Sequence, residues 1–146
     1  MRLLAWCALI CVGVLALAAC GGEKDKEKEG DLSKNAAAAC TGTALTAAPK
    51  LPASWPQLEN ATYTQQSTEG PTNIVEGYFD GSVKDAHDEY KKELQGAGFD
   101  ILFDELEEDD SEVSWKGEGR SGQVAIRAEC GSEDKVFIHI TNRPAD

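Results

Sequence analysis

Two stretches near the end of the chain alternate apolar and polar residues with a period of two. Val124, Ile126, Ala128 and Cys130 share one phase. Val136, Ile138 and Ile140 share another, with Phe137, His139 and Thr141 in the opposite phase. Successive side chains of a strand point to opposite faces, so both runs predict half-buried β-strands. The run Gly131-Ser132-Glu133-Asp134 lies between them, which is turn chemistry. Two strands joined by so short a link pair antiparallel. A chain with this pattern must build a sheet and find something to cover its apolar face.

The upstream sequence supplies both more strands and the cover. Residues 61–67 and 73–79 read as strands around the turn Glu69-Gly70-Pro71. Phe99, Ile101 and Phe103 alternate with Asp100, Leu102 and Asp104, and Val113 and Trp115 alternate with small or charged residues. Between these groups lies one helix. Ser82 with Asp85 three residues later forms a capping-box pattern. Val83, Ala86, Tyr90 and Leu94 then recur at three- and four-residue steps, as one buried stripe requires. Lys91 and Lys92 are read as suiting the negative end of the helix dipole, and Gly96 and Gly98 as the stop. The expected fold is α+β in two layers: a mostly antiparallel sheet, one helix packed on one face, and the order ββαββββ.

The first forty residues are of another kind. Residues 1–19 hold one charge, Arg2, then an apolar run that ends in small residues. That architecture is a secretory signal peptide, and the run is shorter than the roughly 20 residues of a membrane span. Residues 20–40 follow as an anchor and tether. Mixed charges, glycine and an alanine run are expected to bury no core, and a flexible coil of this length spans about 25 Å. Residues 41–60 form an irregular lead-in, with Pro49, Pro52 and Pro56 blocking regular structure and Trp55 and Leu58 tucked onto the domain. Residues 61–146 form the single α+β domain.

Leu17-Ala18-Ala19-Cys20, at the end of the apolar run, resembles the lipobox of bacterial lipoproteins. The resemblance implies that Cys20 becomes the mature N-terminus and carries a diacylglyceryl group. Several acyl chains would hold the protein on the envelope, since each buried methylene contributes about 0.8 kcal/mol. Gly21 in place of Asp fits the outer membrane of a Gram-negative cell; in a Gram-positive cell the anchor is the outer face of the plasma membrane. The helix followed by Gly-Phe-Asp-Ile-Leu also resembles the single-helix sheet domains of many uncharacterised exported lipoproteins, a likeness that carries no activity. Cys7 and Cys11 leave with the signal peptide. Cys40 and Cys130 remain, and an even pair in an exported domain predicts a disulfide, with two free thiols as the alternative.

Charge narrows the partners. The chain has 26 acids and 14 bases, for a net charge of -12. This excludes a protein that tracks a phosphate backbone, which needs a basic face. Seven carboxylates crowd nine residues at an expected hairpin: Asp104, Glu105, Glu107, Glu108, Asp109, Asp110 and Glu112. Such a run either keeps a hairpin tip solvated, holds calcium weakly, or meets a basic protein. It has no EF-hand spacing and no internal glycine.

Other chemistry-bearing residues carry less. His87 and His139 lack a metal-binding spacing and read as surface or half-buried side chains. Ser121 lacks the glycine frame of a nucleophile elbow. Gly117 and Gly119 are turn residues without a following helix, so they make no phosphate cradle. Tyr63, Tyr78, Trp115 and Phe137 could share the sheet face away from the helix as a platform for a glycan or protein, or be packed in the core; Trp115 is carried forward as a binding candidate. No residue pattern calls for a cofactor or metal. The expectation is a lipid-anchored envelope protein with a non-enzymatic binding or assembly role toward a basic protein or the cell wall. The alternative is an acidic inhibitor of a basic envelope enzyme such as a lysozyme or protease, and behind it a small hydrolase.

Overall fold

The computed structural model describes residues 35–146. The expected signal segment, Cys20 and most of the expected tether lie outside the described residues.

Helix α1 covers residues 35–41. After the irregular lead-in come β1 (Ala61–Glu69), β2 (Thr72–Asp80), α2 (Val83–Gly96), β3 (Asp100–Leu106), β4 (Asp110–Gly117), β5 (Arg120–Ser132) and β6 (Lys135–Pro144). The class is α+β, as the alternation and the single long stripe require. The order is αββαββββ, so the expected ββαββββ is preceded by one more helix. All neighbouring strands pair antiparallel in one six-stranded sheet of order β1-β2-β6-β5-β4-β3. The last four strands form a meander, and the β1-β2 hairpin joins it beside β6. β1 and β3 are therefore the two edges.

α2 forms where its caps and stripe allow. The Ser82 side chain accepts from the Asp85 N–H while the Asp85 carboxylate accepts from the Ser82 N–H, satisfying two otherwise unpaired donors. At the other end Phe99 N–H reaches Leu94 O at 3.0 Å and Gly98 N–H reaches Gln95 O at 3.1 Å, a Schellman closure. Gly98 takes the left-handed conformation this needs, with φ of 90°. Lys91 and Lys92 sit upstream of the last turn, which holds no basic residue. The expected dipole role therefore does not arise, and Lys91 is bound to Asp104 instead, at 2.6 Å.

The stripe Val83, Ala86, Tyr90 and Leu94 packs on the face formed by Val75, Phe79, Val113, Trp115, Val124, Ile126, Val136, Ile138 and Ile140. His87 joins this stripe at 4% exposure, where the sequence placed it at or near the surface. The lead-in closes the same core. Trp55 packs edge-on against Trp115 at 5.1 Å and Phe99 at 5.8 Å between centroids. Its indole N–H donates to the Tyr63 hydroxyl at 3.0 Å, and that hydroxyl lies 3.2 Å from the Tyr90 hydroxyl. Burial pushes the Tyr63 and Tyr90 phenols above their ordinary value of 10.0. Gly122 stands opposite Trp115 because the indole crosses it: a Cβ there would lie 2.9 Å from Trp115 Cζ2 and overlap the Thr141 carbonyl oxygen.

The opposite face carries the second helix. Ala36 and Ala39 are fully buried, and with Cys40 they pack on Phe137 and Cys130. The alanine run was expected to end a tether without burying anything; at residues 35–41 its small side chains let the helix backbone lie close on the sheet. Cys40 and Cys130 are at disulfide distance, with Cα atoms 5.5 Å apart. Cys130 reaches this face through a register slip between Arg127 and Ser132. The strict alternation with Val124 and Ile126 would have put it on the α2 side. A bulge changes the phase, and it leaves Ala128 exposed.

Candidate interaction surface

The seven carboxylates of the β3-β4 hairpin do not act as one cluster. The strand period divides them. Asp104 is opposite Val113, on the α2 side, where its carboxylate meets Lys91 at 2.6 Å and the His87 Nε2 at 3.5 Å. The Lys91 ammonium, assisted by His87, holds Asp104 below its ordinary value of 3.8. Glu112 faces the other side, where it accepts from Gln123 Nε2 at 2.7 Å and from Arg127 at 3.4 Å. Asp110 also pairs with Arg127. Glu105, Glu107, Glu108 and Asp109 are exposed and pair with no cation among the described residues. Four free carboxylates thus surround the tip, and three are tied to the body of the domain.

Beside them, β3 exposes three of its four apolar residues. Leu102 is 62% exposed, Phe103 52% and Leu106 42%. The alternation of Phe99, Ile101 and Phe103 predicted one buried phase. Only Phe99 and Ile101 pack on the core. The ladder slips between Ile101 and Phe103, so Ile101 opposes Trp115 while Phe103 opposes Ser114. The extra residue, Leu102, turns Phe103 out of the core phase.

Trp115 is not a surface residue. It is fully buried in the α2 core, so the sequence-based assignment of a binding role to it is corrected. The aromatic platform is corrected for the same reason. Tyr63 and Trp115 face α2, whereas Phe137 is buried under α1 and Tyr78 lies beneath the Lys135 ammonium, 3.8 Å from its ring centre. Strand parity separates these residues, and sequence reading could not fix the parity across unconnected strands.

Two polar constellations went unread in the sequence. The first joins Ser111, His87 and Asp104. His87 Nδ1 lies 2.6 Å from the Ser111 hydroxyl, and both residues are buried. The residue types match a nucleophile, base and orienting acid, but Ser111 is 1% exposed, so a substrate has no path to its oxygen. The second lies on the α1 face. His139 Nδ1 is 2.9 Å from the buried Glu76 carboxylate, and Asn35 Nδ2 reaches the same oxygen at 3.5 Å. The pair lines a groove of about 410 Å³ with Gln123, Arg127 and Glu112. Among the described residues, no three His, Cys, Asp or Glu side chains converge as a metal site. No described helix is long and apolar enough to cross a membrane.

Comparisons with protein-family models, with curated proteins and with solved structures find no match for this chain.

Proposed function

We propose that this protein is a lipid-anchored component of a bacterial envelope that works by binding a basic partner, and not by catalysis. The observation that carries the reading is the β3-β4 hairpin, where exposed Leu102 and Phe103 lie near four carboxylates that meet no cation among the described residues. Apolar area gives affinity, and a field of one sign steers an oppositely charged partner and rejects acidic ones. The lipobox-like Leu17-Ala18-Ala19-Cys20 supports the anchor. The Cys40–Cys130 pair suits an oxidising compartment outside the cytoplasm. A cell-wall partner is a weaker fit, because Trp115 and Phe137 are buried and the exposed Phe103 stands near carboxylates that favour a cation. A basic hydrolase held inactive by this hairpin is one form the partner could take.

Crosslinking of the full-length protein in its native envelope, read by mass spectrometry, tests this. One dominant basic protein is expected, with capture falling steeply as salt rises. Capture should also fall when Glu105, Glu107 and Glu108 are changed to Gln. No reproducible protein partner would overturn the reading.

A further inference from the structure

The β3 edge carries a more specific account of that partner, resting on the binding role just proposed. Among the described residues, β3 is hydrogen-bonded on one side only, to β4. Its outer side presents N–H and C=O groups without ladder partners, as every sheet edge does. The slip at Leu102 places Leu102 and Phe103 side by side against Ser114. Leu102 also forms one end of a trough of about 500 Å³ across the sheet, walled by Ser114, Gln123 and Thr141. An open strand edge, an apolar pair and a side-chain recess therefore coincide, and free carboxylates extend the edge toward the hairpin tip.

Charge decides between occupants. A second copy paired antiparallel through β3 would bring Asp100, Asp104 and Glu105 of each copy against the same acidic strand of the other. Like charges directly across a strand pair are destabilising, and each copy carries -12 overall. A basic segment meets no such opposition. We infer that β3 accepts an extended segment of a partner protein as a seventh strand. That segment carries apolar residues where it runs along Leu102 and Phe103, and Lys or Arg where it runs along the hairpin tip. Its apolar side chains cover Leu102 and Phe103, and its cations reach Glu105, Glu107 and Glu108. Main-chain hydrogen bonds supply affinity, and the apolar-then-basic order of the segment supplies selectivity.

The test uses the full chain in detergent and a blocked peptide with Val in one half and Lys in the other. A control peptide has the same charge but carries two central prolines, which cannot extend a ladder. Hydrogen exchange at residues 100–106 should slow with the first peptide, and affinity should fall at least tenfold with the second. Phe103→Lys, at an exposed site, should weaken binding tenfold or more without moving Tm. Equal affinity for both peptides would overturn strand addition while leaving the charge-based binding role intact. No protection of residues 100–106 at saturating peptide would also overturn it. Protection that appears without peptide and grows with protein concentration would make a second copy the occupant, and overturn it too. Failure of the underlying role shows separately, as the absence of any crosslinked partner in the envelope.

Discussion

His87 Nδ1 and the Ser111 hydroxyl oxygen stand 2.6 Å apart with both side chains buried, and this contact ties α2 to β4 beneath the acidic hairpin. The imidazole is thereby held on both sides, since its Nε2 faces Asp104. His87→Ala would leave the Ser111 hydroxyl buried without its partner, a loss of about 1–3 kcal/mol. Ser111→Ala should cost a similar amount, and the double change less than the sum, because one interaction is removed twice. Urea denaturation of the four proteins measures this. A fluorophosphonate probe should leave Ser111 unlabelled; labelling there would show that the trio is reachable and chemically active.

The lead-in is part of the core, although it has no regular structure. Trp55 is 5% exposed and touches Trp115, Phe99 and Tyr63. Trp55→Ala should therefore destabilise the fold by about 3–5 kcal/mol, as removal of a buried Trp side chain does. A chain beginning at residue 61 should be destabilised further, because it also lacks Leu58, α1 and the Cys40 half of the bridge. A loss below 1 kcal/mol in denaturant titration would mean that the segment is only loosely attached.

Gly122 leaves room that Trp115 fills. Gly122→Ala would drive a methyl group into the Thr141 carbonyl and the indole, and overpacking of this kind costs about 1–3 kcal/mol. Gly119, at a turn with nothing near its missing side chain, has φ of 70°, so its cost on substitution would be conformational and smaller. Thermal unfolding of the two variants should rank Gly122→Ala as the less stable.

Reduction of Cys40–Cys130 should release α1. The bridge spans 90 residues of sequence, and loss of such a bridge typically costs about 2–4 kcal/mol. Few other contacts hold the helix, since only Ala36, Ala39 and Cys40 are buried in it. Hydrogen exchange should therefore quicken first at residues 35–41 and under Phe137, while α2 and the central strands remain protected. Simultaneous opening of both faces would refute this local role.

Acid should weaken the fold through Asp104 and Asp85. Lys91 lowers the first carboxyl, and the Ser82 hydroxyl and N–H lower the second, both from an ordinary 3.8. A depressed folded pKa gives stability that is present in full above the unfolded value and is lost as pH falls through the folded one. The stability gap between the wild type and Asp104→Asn should thus hold from neutrality to about pH 5 and close below it. Urea midpoints at several pH values check this; a gap that widened on acidification would contradict the assigned pairing.

The sequence by itself determined the strands, the long helix and its caps, because these rest on local periodicity and on side chains three residues apart. Ser82 with Asp85, and Val136, Ile138 and Ile140, carry their structural meaning within one short window. It also pointed to Cys40 with Cys130, since no other pair remained once the expected signal segment and the expected lipid site at Cys20 were set aside. The tertiary structure decided what depends on parity and register between distant strands. It placed β2 beside β6, divided seven acids between two faces and a tip, buried Trp115, and drew His87 to Ser111. Two bulges made the difference at the edges of the pattern, one moving Cys130 to the α1 face and one turning Phe103 outward. A single added residue reverses which face every later side chain meets, and the choice depends on the partner strand, which no local window contains.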